Sequence, residues 1–85
     1  MEAVNRFAVV EKIKTIIVES LVVPIDSVND KTKVVEDLNA TSMDVVAIAI
    51  AIEFAFDIEV ELESVPQQDV NVQWLADYVI SRMKQ

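Results

Sequence analysis

Residues 41–57 read TSMDVVAIAIAIEFAFD, an apolar run from Val45 to Ile52 with Asp44, Glu53 and Asp57 at its margins. The stretch holds no glycine or proline and opens on a Thr-x-x-Asp start signature, so it predicts a helix from about Ser42 to Phe56. Asp44 in the first turn suits the helix dipole. On a helical wheel Glu53 and Asp57 fall with Met43, Val46, Ile50 and Phe54, whereas Val45, Ile48, Ala49, Ile52, Ala55 and Phe56 fall opposite. If the charged side meets solvent, Met43, Val46, Ala47, Ile50 and Phe54 form an exposed apolar stripe. Phe54 has two readings at this stage, either folded back onto the core or presented outward. The run is far shorter than the roughly 20 residues needed to cross a bilayer, so no membrane span is expected.

On the N-terminal side, Phe7, Val9, Val10, Ile13, Ile16, Ile17 and Leu21 recur at helical spacing, with Lys12, Thr15 and Glu19 opposite. This pattern predicts a first amphipathic helix from Asn5 to Leu21, ended by Pro24 and a polar cluster. A long connection to about Thr41 is pinned to the core by Val34, Val35 and Leu38. Because the chain has no glycine, a turn that needs positive φ must use a tolerant substitute, and Asn39 is the candidate.

Beyond residue 57 the alternation of Ile58, Val60 and Leu62 with acids has no second strand to pair with, so a loop is expected. It leads to a short third helix near Leu62 to Val65, ended by Pro66. Asn71 then caps a fourth helix whose stripe is Val72, Leu75, Ala76, Val79 and Met83, with Arg82 and Lys84 near its C-terminal end. Trp74 at the stripe's edge is expected to pack. The predicted fold is a single all-α domain over residues 1–85, a four-helix bundle of three long helices and one short one.

The 85 residues supply one core, and 53% hydrophobic against 26% charged residues exclude a disordered chain. Neither cysteine nor histidine occurs. The chain therefore lacks disulfides, the usual nitrogen and thiolate metal ligands, and the usual base near neutral pH, and no reaction of its own is expected. A hydrolase built on Ser42 would have no base to activate the hydroxyl. No signal peptide is read at the N-terminus, and a cytoplasmic location is expected. The net charge is −8, and from Val34 to Ser81 there are acids but no base. Such a body repels nucleic acid and favours basic partners. The run Asp57, Glu59, Glu61 and Glu63 lacks the glycine and spacing of a calcium loop and reads as a solvated acidic face.

The segment Val35, Glu36, Asp37, Leu38, Asn39, Ala40, Thr41, Ser42, Met43, Asp44 resembles the prosthetic-group attachment site of acyl carrier proteins. In that family an acidic-Asp-Leu-Gly segment leads to Asp-Ser-Leu. The stretch EKIKTIIVESL (11–21) is similar to the family's first helix, the spacing from there to Ser42 fits without gaps, and Phe56-Asp57 and Asp77-Tyr78 match family pairs. The likeness covers about Val10 to Ile80, with roughly two extra residues between the third and fourth helices. Asn39 stands for the family's Gly, Thr41 for its Asp and Met43 for its Leu.

The resemblance implies that Ser42 is esterified by 4′-phosphopantetheine, taken from coenzyme A by a phosphopantetheinyl transferase, and that acyl chains ride on the terminal thiol. It implies work in fatty acid, lipid or polyketide biosynthesis, as a monomer. Asp37, Leu38, Met43, Asp44, Val46, Ala47, Ile50, Glu53 and Phe54 are then the docking residues for acyl-transferring or synthase enzymes with basic and apolar patches. A lipid tail is expected beside Ile48 and Ile52. The competing reading is an unmodified helical adaptor that uses the same helix surface.

Overall fold

The computed structural model describes residues 5–83. Its helices are α1 (Arg6–Leu21), α2 (Ser42–Phe56) and α3 (Val72–Met83), with single 3₁₀ turns at Ile25–Ser27 and Leu62–Ser64. The class is all-α, and among the described residues strand-like pairing is limited to an isolated bridge between Lys33 and Asn71. The short helix expected near Leu62 to Val65 is one 3₁₀ turn, leaving three α-helices among the described residues rather than four. Pro66 supplies the reason, since the residue before a proline is driven out of helical geometry, and Val65 is extended at φ −92° and ψ 117°.

The start of α1 is capped by the Asn5 side chain, which accepts the Ala8 N–H at 3.2 Å. Val9, Val10, Ile13, Ile16 and Ile17 are buried, whereas Lys12, Thr15 and Glu19 face solvent, as the wheel requires. Phe7 departs from the expected stripe and is 73% exposed. The same turn is tied to α3 by an ion pair from Arg6 to Asp77 at 2.6 Å. Met83 in the last turn of α3 is also exposed, although the helical stripe placed it in the core.

Both α2 and α3 pack on α1 but make little direct contact with each other. Ile13 and Ile17 of α1, Ile52 of α2, and Val72 and Val79 of α3 are almost entirely shielded at the centre. The space between α2 and α3 is filled by loop side chains: Val34 and Val70 are buried, and Val60 and Val65 are half-buried. Burying such aliphatic side chains stabilises by about 1.5–3 kcal/mol each, so the loops belong to the core as much as the helices do.

The two long loops are stitched together. Val34 N–H donates to the Val70 carbonyl at 2.9 Å and Gln73 N–H to the Asp30 carbonyl at 3.1 Å. Glu36 accepts the Asp69 N–H at 2.9 Å, and Lys33 meets the Asp69 carboxylate at 3.0 Å. Lys14 binds Asp30 at 3.2 Å and Glu11 at 3.5 Å. The hydrogen bond to Asp30 raises the Lys14 pKa against the opposing effect of desolvation. The lysine therefore stays charged through neutral pH, and its contribution fades only as pH rises through that raised value.

The turn out of α1 shows what a chain without glycine must accept. Val22 is left-handed at φ 55° and ψ 54°, with its N–H and that of Val23 both donating to the Val18 carbonyl. A β-branched residue in this region carries roughly 1–2 kcal/mol of steric strain, and at 87% exposure the Val22 side chain gains little in return. Val22→Gly is expected to raise unfolding stability by about 1 kcal/mol in urea denaturation. A loss of stability on this substitution would show that the turn is not strained.

Candidate functional site

Ser42 is the first residue of α2 and is exposed. The residues around it fix its place through short-range hydrogen bonds. Asn39 takes the left-handed conformation at φ 59°, as expected of the glycine substitute, and Ala40 folds back so that its N–H reaches the Val34 carbonyl at 3.2 Å. Thr41 is the N-cap: its hydroxyl accepts the Asp44 N–H at 3.1 Å while the Asp44 carboxylate accepts the Thr41 N–H at 2.9 Å. This reciprocal capping box leaves the N–H groups of Ser42 and Met43 without an acceptor among the described residues. They and the positive end of the helix dipole lie beside the serine, an arrangement suited to an anion.

Thr41 thus caps the helix as an aspartate would, because threonine and aspartate both serve as N-caps. What it lacks is the charge. Asp37 is exposed, but its carboxylate accepts the Lys33 N–H at 2.9 Å and so shapes the loop. Leu38 is half-buried against the core.

Ser42 opens onto a groove of about 420 Å³ lined by Val35, Ala40, Val45, Val46, Leu62, Val65, Pro66 and Gln67. Behind it, in the space between α2 and α3, lies a small interior pocket of about 30 Å³. Val35, Val45, Val65 and Pro66 line both spaces, so one thin apolar wall separates the serine's groove from the interior. Ile48 and Ile52, expected beside a lipid tail, line the inner pocket together with Ala49, Val60, Leu75, Tyr78 and Val79.

The stripe along α2 is exposed. Met43 (79%) and Phe54 (84%) project most, Val46 and Ile50 less, and Ala47 is open between them. The outward reading of Phe54 is therefore the right one. Ala55, placed on the core side by the wheel, is also exposed, whereas its neighbour Phe56 packs against the core. Glu53 is half-buried and accepts the Val60 N–H at 2.8 Å, so it anchors the following loop.

A cluster on α3 was not foreseen. Tyr78 stacks on Trp74 with centroids 5.5 Å apart, Arg82 sits 5.1 Å from the Tyr78 ring centroid, and the Tyr78 hydroxyl accepts the Glu61 N–H at 3.0 Å. Arg82 also meets Glu61 at 2.7 Å. The residues are 17 and 21 positions apart, too far for a local pattern to reveal. Trp74 packs against the core, as expected.

No protein-family model matches the chain, and no curated protein matches it in sequence.

The cap generates a test. Thr41→Ala is expected to lower unfolding stability by about 1 kcal/mol, while Thr41→Asp holds it near the parent value. Urea denaturation of the three proteins measures both, and equal stability in all of them would mean that the capping box contributes nothing.

Proposed function

We propose that this protein is a carrier of acyl groups, modified on Ser42 with 4′-phosphopantetheine. The observation that carries the reading is an exposed serine at the first position of a capped helix, beside two free N–H groups and a groove that one thin apolar wall separates from the interior. A phosphodiester on that hydroxyl would meet the helix dipole and the Ser42 and Met43 N–H groups. The attached group would supply a terminal thiol able to hold an acyl chain, sulfur chemistry that a chain without cysteine cannot provide itself. The residues of the chain do the rest: Thr41 and Asp44 hold the helix start rigid, Val46 and Leu62 wall the groove, and Ile48 and Ile52 offer hydrocarbon surface to the tail. In this reading the three helices and the Leu62–Ser64 turn form an acyl-carrier-like four-part bundle. The protein performs no reaction alone and works in the cytoplasm for fatty acid, lipid or polyketide enzymes.

The exposed stripe supports docking to those enzymes. Contact would centre on Met43, Val46, Ala47, Ile50 and Phe54, with Asp37 and Asp44 towards one end of the helix and Asp57 at the other. A partner with an apolar centre and a basic rim fits this arrangement, and Phe54 has the exposure of an aromatic anchor. The same stripe favours the competing reading, an adaptor that is never modified.

Incubation with coenzyme A and a broad-specificity phosphopantetheinyl transferase separates the two. Intact-mass measurement is expected to show one added phosphopantetheine on the parent protein and none on Ser42→Ala. A parent protein that stays bare, also with its cognate transferase, would falsify the carrier reading and leave the adaptor.

Phe54→Glu is expected to cut acyl transfer to a partner enzyme by tenfold or more, on the order of 1.4 kcal/mol of lost contact, with an unchanged melting temperature. Undiminished transfer, or a collapse in melting temperature, would remove Phe54 from the docking surface.

A further inference from the structure

The interior pocket lies behind the serine's groove, across the wall of Val35, Val45, Val65 and Pro66. Ser42 and the groove lie at the start of α2, and Val45, Ile48 and Ile52 follow along the helix, the last about 15 Å from the serine at 1.5 Å per residue. Val60 N–H is held by Glu53, next to Ile52, and the neighbouring Glu61 N–H by the Tyr78 hydroxyl, so Ile52, Val60 and Tyr78 lie together at that far end. Its walls are aliphatic, and the Tyr78 hydroxyl is already engaged with the Glu61 N–H, so a hydroxyl or amide carried by a cargo would meet few partners inside. The pocket therefore suits unbranched hydrocarbon and disfavours aminoacyl or peptidyl cargo.

At about 30 Å³ the pocket is too small for a chain of several carbons and must widen. Its walls differ in how readily they yield. Because α2 and α3 hardly touch, a chain entering between them displaces loop side chains, Val60, Val65 and Pro66, and leaves the packing of each helix on α1 intact. Tyr78 is the exception. Its ring is held by the stack on Trp74, by Arg82, and by the bond from Glu61, whose carboxylate is in turn fixed on Arg82. We infer that Tyr78 is the stop that sets the longest unbranched alkyl chain the pocket takes, and that the Trp74, Arg82 and Glu61 contacts make that stop rigid. The inference deepens the carrier reading, on which the identity of the alkyl chain as an acyl cargo rests.

The test uses the unmodified protein and a series of linear primary alkanols, with binding followed by backbone amide chemical shifts. Affinity is expected to rise by about fourfold per methylene and then level off at one chain length. In Tyr78→Leu the break should move to a longer homologue, in Tyr78→Phe it should stay, and in Val60→Phe, which fills the far end from a tolerant loop position, it should move to a shorter one. Val60→Phe keeps the test decisive if Tyr78→Leu does not fold. Absence of alkanol binding in the parent protein, or a break at the same length in every variant that folds, would overturn the inference. Should the break move as expected while Ser42 stays bare in the transferase experiment, the stop stands and the carrier reading fails.

Discussion

The aliphatic stripe of α1 is the surface on which everything else is assembled. Ile13 and Ile17 are fully shielded because α2 covers them from one side and α3 from the other. Two helices that share a third as their common partner need not pack on each other, and here they make little direct contact. The space left between them is closed by side chains from the connections, which are weaker walls than a helix–helix interface with interlocked ridges. The groove at Ser42 and the pocket behind it both follow from this arrangement. A direct α2–α3 interface would have erased them.

Charge is arranged with similar economy. Arg6, Lys14, Lys33 and Arg82 each meet an acid on a different element, at Asp77, Asp30, Asp69 and Glu61. Exposed pairs of this kind contribute little to stability, typically below about 1 kcal/mol, and are screened by salt. Their larger effect is spatial. By drawing the few bases to the α1, α3 and loop surfaces, they leave the α2 face with acids at its margins and apolar residues along its middle. Acids there would steer an approaching basic surface, while the apolar residues would hold it once water is excluded.

Much of this was legible in the sequence where local rules apply. The bounds of α2, its Thr41 and Asp44 box, the left-handed Asn39 and the Asn71 cap, whose side chain accepts the Trp74 N–H at 2.8 Å, all depend on residues within a few positions of each other. Periodicity placed the middle of each helix correctly and failed at the ends. Phe7, Ala55 and Met83 keep the helical phase of the core but are exposed in terminal turns, and a wheel carries no information on which terminal side chains a partner covers. Val22 was invisible because a valine gives no sign of a left-handed turn. The Tyr78 cluster was equally hidden, since its bonds to the 58–62 loop depend on how α3 is rotated against that loop. Within the candidate site the serine and the stripe could be read in advance, whereas the groove, the pocket and the second role of Glu53 could not.

The docking of α1 on α3 has a consequence for how the molecule is made. The two helices are separated by some fifty residues, so the closure of that long stretch must precede the contacts that reward it. Until α3 docks, the apolar face of α1 that it covers stays open to water. A chain lacking α3 would therefore expose apolar α1 surface and be prone to degradation or clumping.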